Sequence, residues 1–200
     1  MDSSPENTTS EYLDLPLRTF LDLVASDNPA PGGGSVAAVA VALAAGLSGM
    51  AARLSAGQLA DGLAARADAL RRRVAPLAEA DAESYGRVLA AYREPDSETR
   101  RERASDALSG AADVPLAVAE VGSEVAGIAA RLVEEGNPNL EGDAIAALLL
   151  AEAGVRAVTV LVEINLSSAN VEDERLGRAN RLVDMTAATV RRAIQGDGRG

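Results

Sequence analysis

Few side chains in this sequence can do acid–base chemistry, because whole classes of reactive residue are missing. The chain has no His, no Cys and no Lys, and all 19 of its basic residues are Arg. These absences exclude thiolate nucleophiles, Cys- and His-based zinc sites, Ser-His-Asp triads and lysine Schiff bases. Asp, Glu, Tyr, Ser and Arg are left to carry any chemistry.

One carboxylate interrupts an apolar stripe that repeats at helical spacing. The stripe advances by steps of three and four residues, and consists of Leu70, Val74, Leu77, Asp81, Tyr85, Val88 and Tyr92. Such steps place residues on one helix face, and burial there raises the pKa of a carboxyl group into the range useful for general acid–base catalysis. A structural Asp81 paired with an Arg, or a stripe whose middle reaches solvent, would give the same pattern.

A glycine triplet precedes a long apolar segment. Gly32, Gly33 and Gly34 lie between Pro31 and Ser35. Glycines allow a ligand to approach the backbone closely, and the free N–H groups at the start of a helix attract an anion or a carbonyl oxygen. We predict that these five residues bind the substrate. The alternative is a linker in which Ser35 serves as an ordinary helix N-cap.

Two further segments carry polar side chains that could bind a ligand. Asn137 and Asn139 flank Pro138 in a predicted tight turn, and Asp143 follows near the start of a helix. Asn165 lies on an apolar face of that helix, where a buried amide needs hydrogen-bond partners. We predict substrate contacts for Asn137, Asn139, Asp143 and Asn165. Equally, Asp143 could compensate the helix dipole and Asn165 could hold a neighbouring helix.

The elements that must position these residues are all predicted to be helices. Helical periodicity dominates the chain, and 42 of its 200 residues are Ala, the best helix former. We predict a single all-α domain over 12–195, an up-down helical bundle, with loose tails at 1–11 and 196–200. The predicted helices are 17–26, 35–56, 62–94 with a bend at Pro76, 97–135 with a kink or division at Pro115, 143–168 and 172–194.

The segment from Asn28 to Ala52 carries no charge and forms the predicted central helix. Its length would permit a membrane span, but its prolines, glycines and alanines favour a buried core helix. With only one Phe, three Tyr and no Trp to cover it, we predict that a second copy of the chain helps, giving a homodimer.

Charge and the N-terminal sequence bear on partners and location. The net charge of −11 argues against a nucleic-acid partner, which requires a basic face. The first ten residues lack the basic and apolar regions of a signal peptide. We therefore expect a cytoplasmic protein that binds neither nucleic acid nor membrane.

Five blocks of the sequence, in their order along the chain, resemble the cyclodeaminase/cyclohydrolase family of tetrahydrofolate enzymes. This family includes the C-terminal half of formiminotransferase-cyclodeaminase and stand-alone methenyltetrahydrofolate cyclohydrolases. The resemblance extends over residues 12–190. The blocks are PAPGGGSVAA (29–38), DAESY (81–85), VPLAVAE (114–120), GNPNLEGDA (136–144) and VEINL (162–166).

The resemblance implies an all-helical homodimer, a folate site lined by the glycine segment, and Asp81 as the acid–base residue. The implied reaction converts either 5-formimidoyltetrahydrofolate to 5,10-methenyltetrahydrofolate with loss of ammonia, or the methenyl compound and water to 10-formyltetrahydrofolate. Either reaction shuttles protons near one carbon, and neither needs a metal or redox cofactor. The sequence does not choose between cyclodeaminase and cyclohydrolase.

The sequence departs from the family at positions that bear on folate binding. A Lys-rich stretch of the family is replaced by Gln58–Ala60, and an Asn that often opens the VEINL region is Leu161. Arg53, Arg93 or the cluster 71–73 would then have to bind the anionic folate tail. The alternative function is a non-catalytic dimeric helical protein that kept the fold and lost the folate site.

Overall fold

The described part of this computed structural model is entirely helical in its regular structure. It covers residues 12–55 and 57–195, so both predicted tails lie outside the described residues. Two short 3₁₀ turns, Tyr12–Asp14 and Pro138–Leu140, accompany eight α-helices. These are α1 (Leu17–Val24), α2 (Gly33–Arg53), α3 (Gln58–Val74), α4 (Leu77–Tyr92), α5 (Ser97–Gly110), α6 (Asp113–Glu135), α7 (Glu141–Ala169) and α8 (Glu174–Gln195). The all-α prediction is confirmed.

The uncharged helix α2 lies at the centre and packs against α3, α4, α6 and α7. Glycines on two of these neighbours allow close approach around Val41. A Cβ at Gly154 of α7 would lie 2.5 Å from Val41 Cγ2, and one at Gly122 of α6 would lie 3.4 Å from the same atom. Since interiors are close-packed, these two glycines fix how near the three helices lie.

By length and composition, α2 and the segment Pro138–Ala169 could each cross a membrane. In this fold both serve as core helices, and they pack directly against each other. From the sequence, only the first of the two segments stands out as long enough and uncharged enough to cross a membrane. The second contains charged residues such as Arg156 and Glu163.

Three helix boundaries differ from the predicted ones. The predicted helix 62–94 is two helices that separate at Ala75–Pro76, because proline lacks an N–H and its ring clashes with the preceding turn. Helix α2 begins at Gly33, two residues before the predicted start, and its N-cap is Gly32, so the alternative in which Ser35 caps this helix is wrong. The division near Pro115 falls at Ala111–Ala112, which puts this proline in the first turn of α6, where proline is tolerated.

Helices α2 and α7 each expose an apolar stripe on the outside of the fold, and we call the two stripes together the apolar face. Leu43 of α2 is 63% exposed and Val160 of α7 is 52% exposed. The apolar face consists of Val36, Leu43, Leu54, Leu149, Leu150, Val160 and Ile164.

Candidate functional site

A cavity of about 280 Å³ lies where the start of α2 meets α4 and α7. The glycine segment forms one wall, α4 a second and α7 a third. Its lining residues are Pro29, Ala30, Gly32, Gly33, Gly34, Asp81, Ala82, Ser84, Tyr85, Ala111, Leu161, Ile164 and Asn165. The glycine triplet, Asp81 and Asn165, which are far apart in the sequence, are thus brought together as predicted.

The Asp81 carboxylate is held by the first turn of α2. The backbone N–H of Ser35 donates a hydrogen bond to Asp81 Oδ2 at 2.9 Å, and the Ser35 hydroxyl lies 3.3 Å from the same oxygen. That hydroxyl also donates to the carbonyl oxygen of Ala78 at 2.7 Å. Since the first N–H groups of a helix have no partners within it, the α2 N-terminus is available to bind a carboxylate.

Gly34 makes this contact possible because the carboxylate occupies the place of a side chain. A Cβ at Gly34 would lie 2.1 Å from Asp81 Oδ1 and 2.6 Å from Oδ2. In contrast, a Cβ at Gly33 would meet its nearest heavy atom, Leu161 Cδ1, at 4.0 Å. The second glycine therefore borders open cavity, while the third is needed for the position of Asp81.

The electrostatic setting of Asp81 suits a proton carrier. Burial raises the pKa of its carboxyl group above the ordinary value, and the hydrogen bonds from Ser35, which favour the carboxylate, offset part of the rise. None of the ion pairs formed by the described residues includes Asp81. The alternative of a structural Asp paired with an Arg therefore finds no support in that part of the chain.

Asn165 lies across the cavity and is itself positioned by a helix break. Its Nδ2 donates to the carbonyl oxygen of Ala111 at 2.9 Å, and that carbonyl lies where α5 ends before α6 begins. No hydrogen bond from the described residues reaches Asn165 Oδ1. The amide oxygen is thus available to a ligand.

Two of the predicted substrate contacts lie behind the cavity wall. Ser35 is fully buried, and its hydroxyl is directed to Ala78 and Asp81. Pro31 is also buried and does not line the cavity. The structure places these two residues where they support the wall and position Asp81, and where a ligand in the cavity would not touch them.

Three further predicted contacts lie at the opposite end of α2. Asn137 donates through its backbone N–H to Ser55 Oγ at 2.9 Å, and through Nδ2 to the Leu54 carbonyl at 2.9 Å. Its Oδ1 accepts from the N–H of Asn139 at 3.0 Å. Since a helix rises about 1.5 Å per residue, this turn lies about 28 Å along α2 from Ser35.

Asp143 lies in the first turn of α7, beside that same turn, where a carboxylate favours the helix dipole. The structure therefore does not bring Asn137, Asn139 or Asp143 to Asp81 within one chain. Asn137 has a clear structural use, since it ties the α6–α7 connection to the end of α2.

The arginines predicted to replace the family's lysines do not reach the cavity. Arg53 forms an ion pair with Asp68, and Arg73 pairs with Glu120 and Glu124. Neither lines the cavity, and neither does Arg93. Among the described residues that line the cavity, Asp81 is the one that carries a charge.

Several lining residues were not predicted. Tyr85 is 44% exposed and lies one helical turn after Asp81, so the stripe that singled out Asp81 already contained the signal for it. Ala111, Leu161 and Ile164 carry no comparable local signal. They reach the cavity only because α5 packs against both α4 and α7, and α2 packs against both as well.

Comparison with known proteins agrees with this fold. The family model for formiminotransferase-cyclodeaminase matches residues 16–181. A methenyltetrahydrofolate cyclohydrolase of Methylorubrum extorquens is 34% identical over 182 residues, which span 84% of this chain and 86% of that protein. Rat formimidoyltransferase-cyclodeaminase is also 34% identical over 182 residues, but the match covers only 32% of that longer protein.

A solved structure shares the fold. The crystal structure of a formiminotetrahydrofolate cyclodeaminase from Thermotoga maritima superposes with a TM-score of 0.80 and 28% sequence identity, covering 93% of this chain and 98% of that one. The chain therefore belongs to the formiminotransferase-cyclodeaminase family. The resemblance seen in its sequence blocks is confirmed.

Proposed function

We propose that this protein is a folate one-carbon enzyme that acts at the methenyl carbon, as a 5,10-methenyltetrahydrofolate cyclohydrolase. The observation that carries the proposal is the Asp81 carboxylate, seated on Gly34 and held by the Ser35 N–H at 2.9 Å, in the wall of a cavity. The Methylorubrum relative, which matches along most of its own length, supports the hydrolase activity.

The charge of the cavity lining fits this substrate. The methenyl group of 5,10-methenyltetrahydrofolate is a cation delocalised over N5, the carbon and N10. Asp81 is the only charged residue among the described residues of the lining, and Tyr85 lies one helical turn after it. A carboxylate and an aromatic ring both stabilise a cation, whereas a basic residue at this position would repel it.

Asp81 would carry the protons of the reaction. Water adds to the methenyl carbon while Asp81 accepts one of its protons, giving a neutral carbinol. The carbinol then collapses: its hydroxyl proton leaves as the C=O bond forms, the C–N5 bond breaks, and N5 takes a proton. The products are 10-formyltetrahydrofolate and one net proton. An acid with a raised pKa is suited to both accepting and returning protons near neutral pH. We expect the reaction to need no metal and no redox cofactor.

Cyclodeaminase activity is the second candidate, and the Thermotoga structure favours it, since that cyclodeaminase is matched along 98% of its chain. In this reaction N10 attacks the formimidoyl carbon and gives up its proton. The exocyclic imino nitrogen takes that proton and a second one from Asp81, its bond to the carbon breaks, and it leaves as ammonia. The same carboxylate would serve, because both reactions pass through the methenyl cation or its adducts.

We also propose that the protein works as a homodimer. The support is the apolar face on α2 and α7, which leaves Leu43 63% exposed in a single chain. A second copy of this face would cover it, whereas a folate bound in the cavity would contact only Ile164 of its seven residues.

The test is an absorbance assay on the purified chain. With 5,10-methenyltetrahydrofolate, a cyclohydrolase speeds the loss of methenyl absorbance above the rate without protein. With 5-formimidoyltetrahydrofolate, a cyclodeaminase makes that absorbance appear and releases ammonia. If a folded protein exceeds the uncatalysed rate with neither substrate, the proposal is wrong and the non-catalytic alternative stands.

A further inference from the structure

A second and larger cavity, of about 810 Å³, is lined by α5 and by the ends of α4 and α7, two of the helices that also line the first cavity. On α4 its wall includes Tyr92, two turns after Tyr85 of the first cavity. On α7 its wall includes Ser168, one turn after Ile164. At about 1.5 Å per residue, the second cavity begins about 10 Å from the first along α4.

An apolar floor joins the two cavities. Val88, Leu108, Ala111 and Ala169 form one buried cluster between α4, α5 and α7. Ala111 borders the first cavity, while Leu108 and Ala169 border the second. The two cavities thus border the same buried cluster, and we call the surface that they line together the groove.

The second cavity, in contrast to the first, contains basic side chains. Arg101 is in helical register with Ser97, Ala104 and Leu108, so it lies on the face of α5 that lines the cavity. It is exposed, and none of the ion pairs among the described residues includes it. Its cationic group is therefore available.

The other charged groups of this cavity lie to the two sides of Arg101. Arg100 donates through Nη1 to the Glu94 carbonyl at 3.0 Å, which fixes it at one edge. Glu102 and Asp106, four residues apart, share the other edge. An anion in the cavity would meet Arg101 before either acid, because Arg101 is central on that face.

The end of α7, which also lines this cavity, has part of its negative dipole compensated. The Ser105 hydroxyl donates to the Ala169 carbonyl at 2.9 Å, and the Asn170 N–H donates to the Ser167 carbonyl at 3.0 Å. Carbonyls that accept such bonds attract cations less and repel anions less.

We infer that this second cavity binds the tail of the folate substrate, with Tyr92 against the p-aminobenzoyl ring and Arg101 on the glutamate carboxylates. The inference rests on the proposed function, which places the methenyl carbon at Asp81. A folate tail leads away from that carbon through an aromatic ring to two carboxylates. The groove offers the same sequence of surfaces: the acid, an apolar floor with an exposed Tyr, and an available Arg.

The experiment compares two substrates on matched variants. One substrate is 5,10-methenyltetrahydrofolate, and the other is the methylamide of 5,10-methenyltetrahydropteroate, which lacks both glutamate carboxylates. The variants are Arg101→Gln, Arg101→Lys and the control Arg87→Gln, whose exposed Arg lies on the far face of α4 and lines neither cavity. Both KM and kcat are measured, together with binding of each substrate by calorimetry.

Loss of one partly solvated ion pair should raise KM for the full substrate by about fivefold to tenfold in Arg101→Gln, with kcat unchanged. In the wild type, the truncated substrate should bind more weakly than the full substrate by the same factor. Arg101→Gln should not weaken the binding of the truncated substrate any further. Arg101→Lys should recover most of the affinity, and Arg87→Gln should match the wild type.

Two results overturn the inference in distinguishable ways. If the wild type turns over or binds both substrates equally, or if Arg101→Gln behaves as Arg87→Gln does, the tail does not reach Arg101 and the proposed function stands. If the wild type neither turns over nor binds either compound, the proposed function fails and the inference fails with it.

Discussion

The Asp81 carboxyl group is the residue on which the proposed chemistry depends, and its surroundings act on its pKa in opposite directions. Burial raises the pKa, while the Ser35 N–H favours the charged form. The net effect is a raised pKa, which suits a group that takes and returns a proton. The carboxylate can occupy this position only because Gly34 has no side chain.

Asp81→Asn should remove turnover and preserve the fold. An Asn oxygen can still accept the Ser35 N–H, but an amide does not carry a proton at neutral pH, so kcat should fall by at least about 100-fold. Circular dichroism and melting temperature check that the variant is folded. A stable Asp81→Asn protein with full turnover would exclude Asp81 from the mechanism.

The pH dependence of turnover should report the same group. As a general base Asp81 must be ionised, so kcat/KM should fall as the pH drops through the raised pKa of Asp81, above the ordinary carboxyl value of 3.8. The measurement is a kcat/KM profile on the acid side. An acid limb at or below the ordinary carboxyl value would contradict the raised pKa.

The same raised pKa predicts how stability changes with pH. A carboxyl whose pKa is higher in the folded than in the unfolded chain stabilises the fold when protonated, and this contribution is lost as pH rises through the folded-state pKa. Asp81→Asn is neutral throughout. Its unfolding free energy, relative to the wild type, should therefore increase between pH values below 3.8 and neutrality. Urea unfolding at both pH values measures this difference, and a constant difference would contradict the prediction.

Gly34→Ala and Gly33→Ala form a matched pair of variants. Together they show whether the glycine triplet matters because it positions the Asp81 carboxylate or because its backbone is flexible. At Gly34 the new methyl group would lie 2.1 Å from Asp81 Oδ1, so the carboxylate must move and turnover should fall by about 10-fold or more. At Gly33 the nearest heavy atom is 4.0 Å away, so the fold should tolerate the change. The two kcat values and melting temperatures check this. Equal effects at both positions would mean that the triplet acts only as a linker.

At the scale of helices, the sequence predicted the elements well and the site only in part. The all-helical class follows from periodicity, and the stripe through Asp81 correctly marked a face that borders the cavity. Periodicity did not show that Pro76 separates two helices, because a proline bends some helices and ends others. Asn137 could not be placed from the sequence either, since its partners Leu54 and Ser55 are 83 and 82 residues away, respectively.

The crossing of α2, α6 and α7 offers a test of how the core fixes the site. A methyl group at Gly154 would lie 2.5 Å from Val41 Cγ2, so Gly154→Ala should destabilise the fold by about 1–3 kcal/mol through overpacking. Adding Val41→Ala should relieve part of that cost. Gly127→Ala is the control, because nothing lies within 4 Å of its position, and there Ala should stabilise by up to about 1 kcal/mol. Urea unfolding measures all three, and a neutral Gly154→Ala would show that these helices can separate without cost.

For the whole molecule, the proposed homodimer would have to form between two chains that each carry a net charge of −11. Like-charged surfaces repel, so association requires a surface without charges. Helix α2 provides one, since no charged residue occurs in it before Arg53, and its exposed side is apolar. The acidic residues can then remain in solvent in the dimer.

Leu43→Glu should therefore convert the dimer to a monomer. Leu43 is 63% exposed at the middle of α2, and near a two-fold axis its replacement would bring two buried carboxylates together, which should weaken association by at least about 100-fold. Size-exclusion chromatography with light scattering should give about twice the chain mass for the wild type at micromolar concentration, and one chain mass for the variant. Met185→Glu, a similar change at a residue 60% exposed on α8, should leave the dimer intact. A wild-type monomer would contradict the homodimer, and a dimeric Leu43→Glu would show that the copies meet somewhere other than α2.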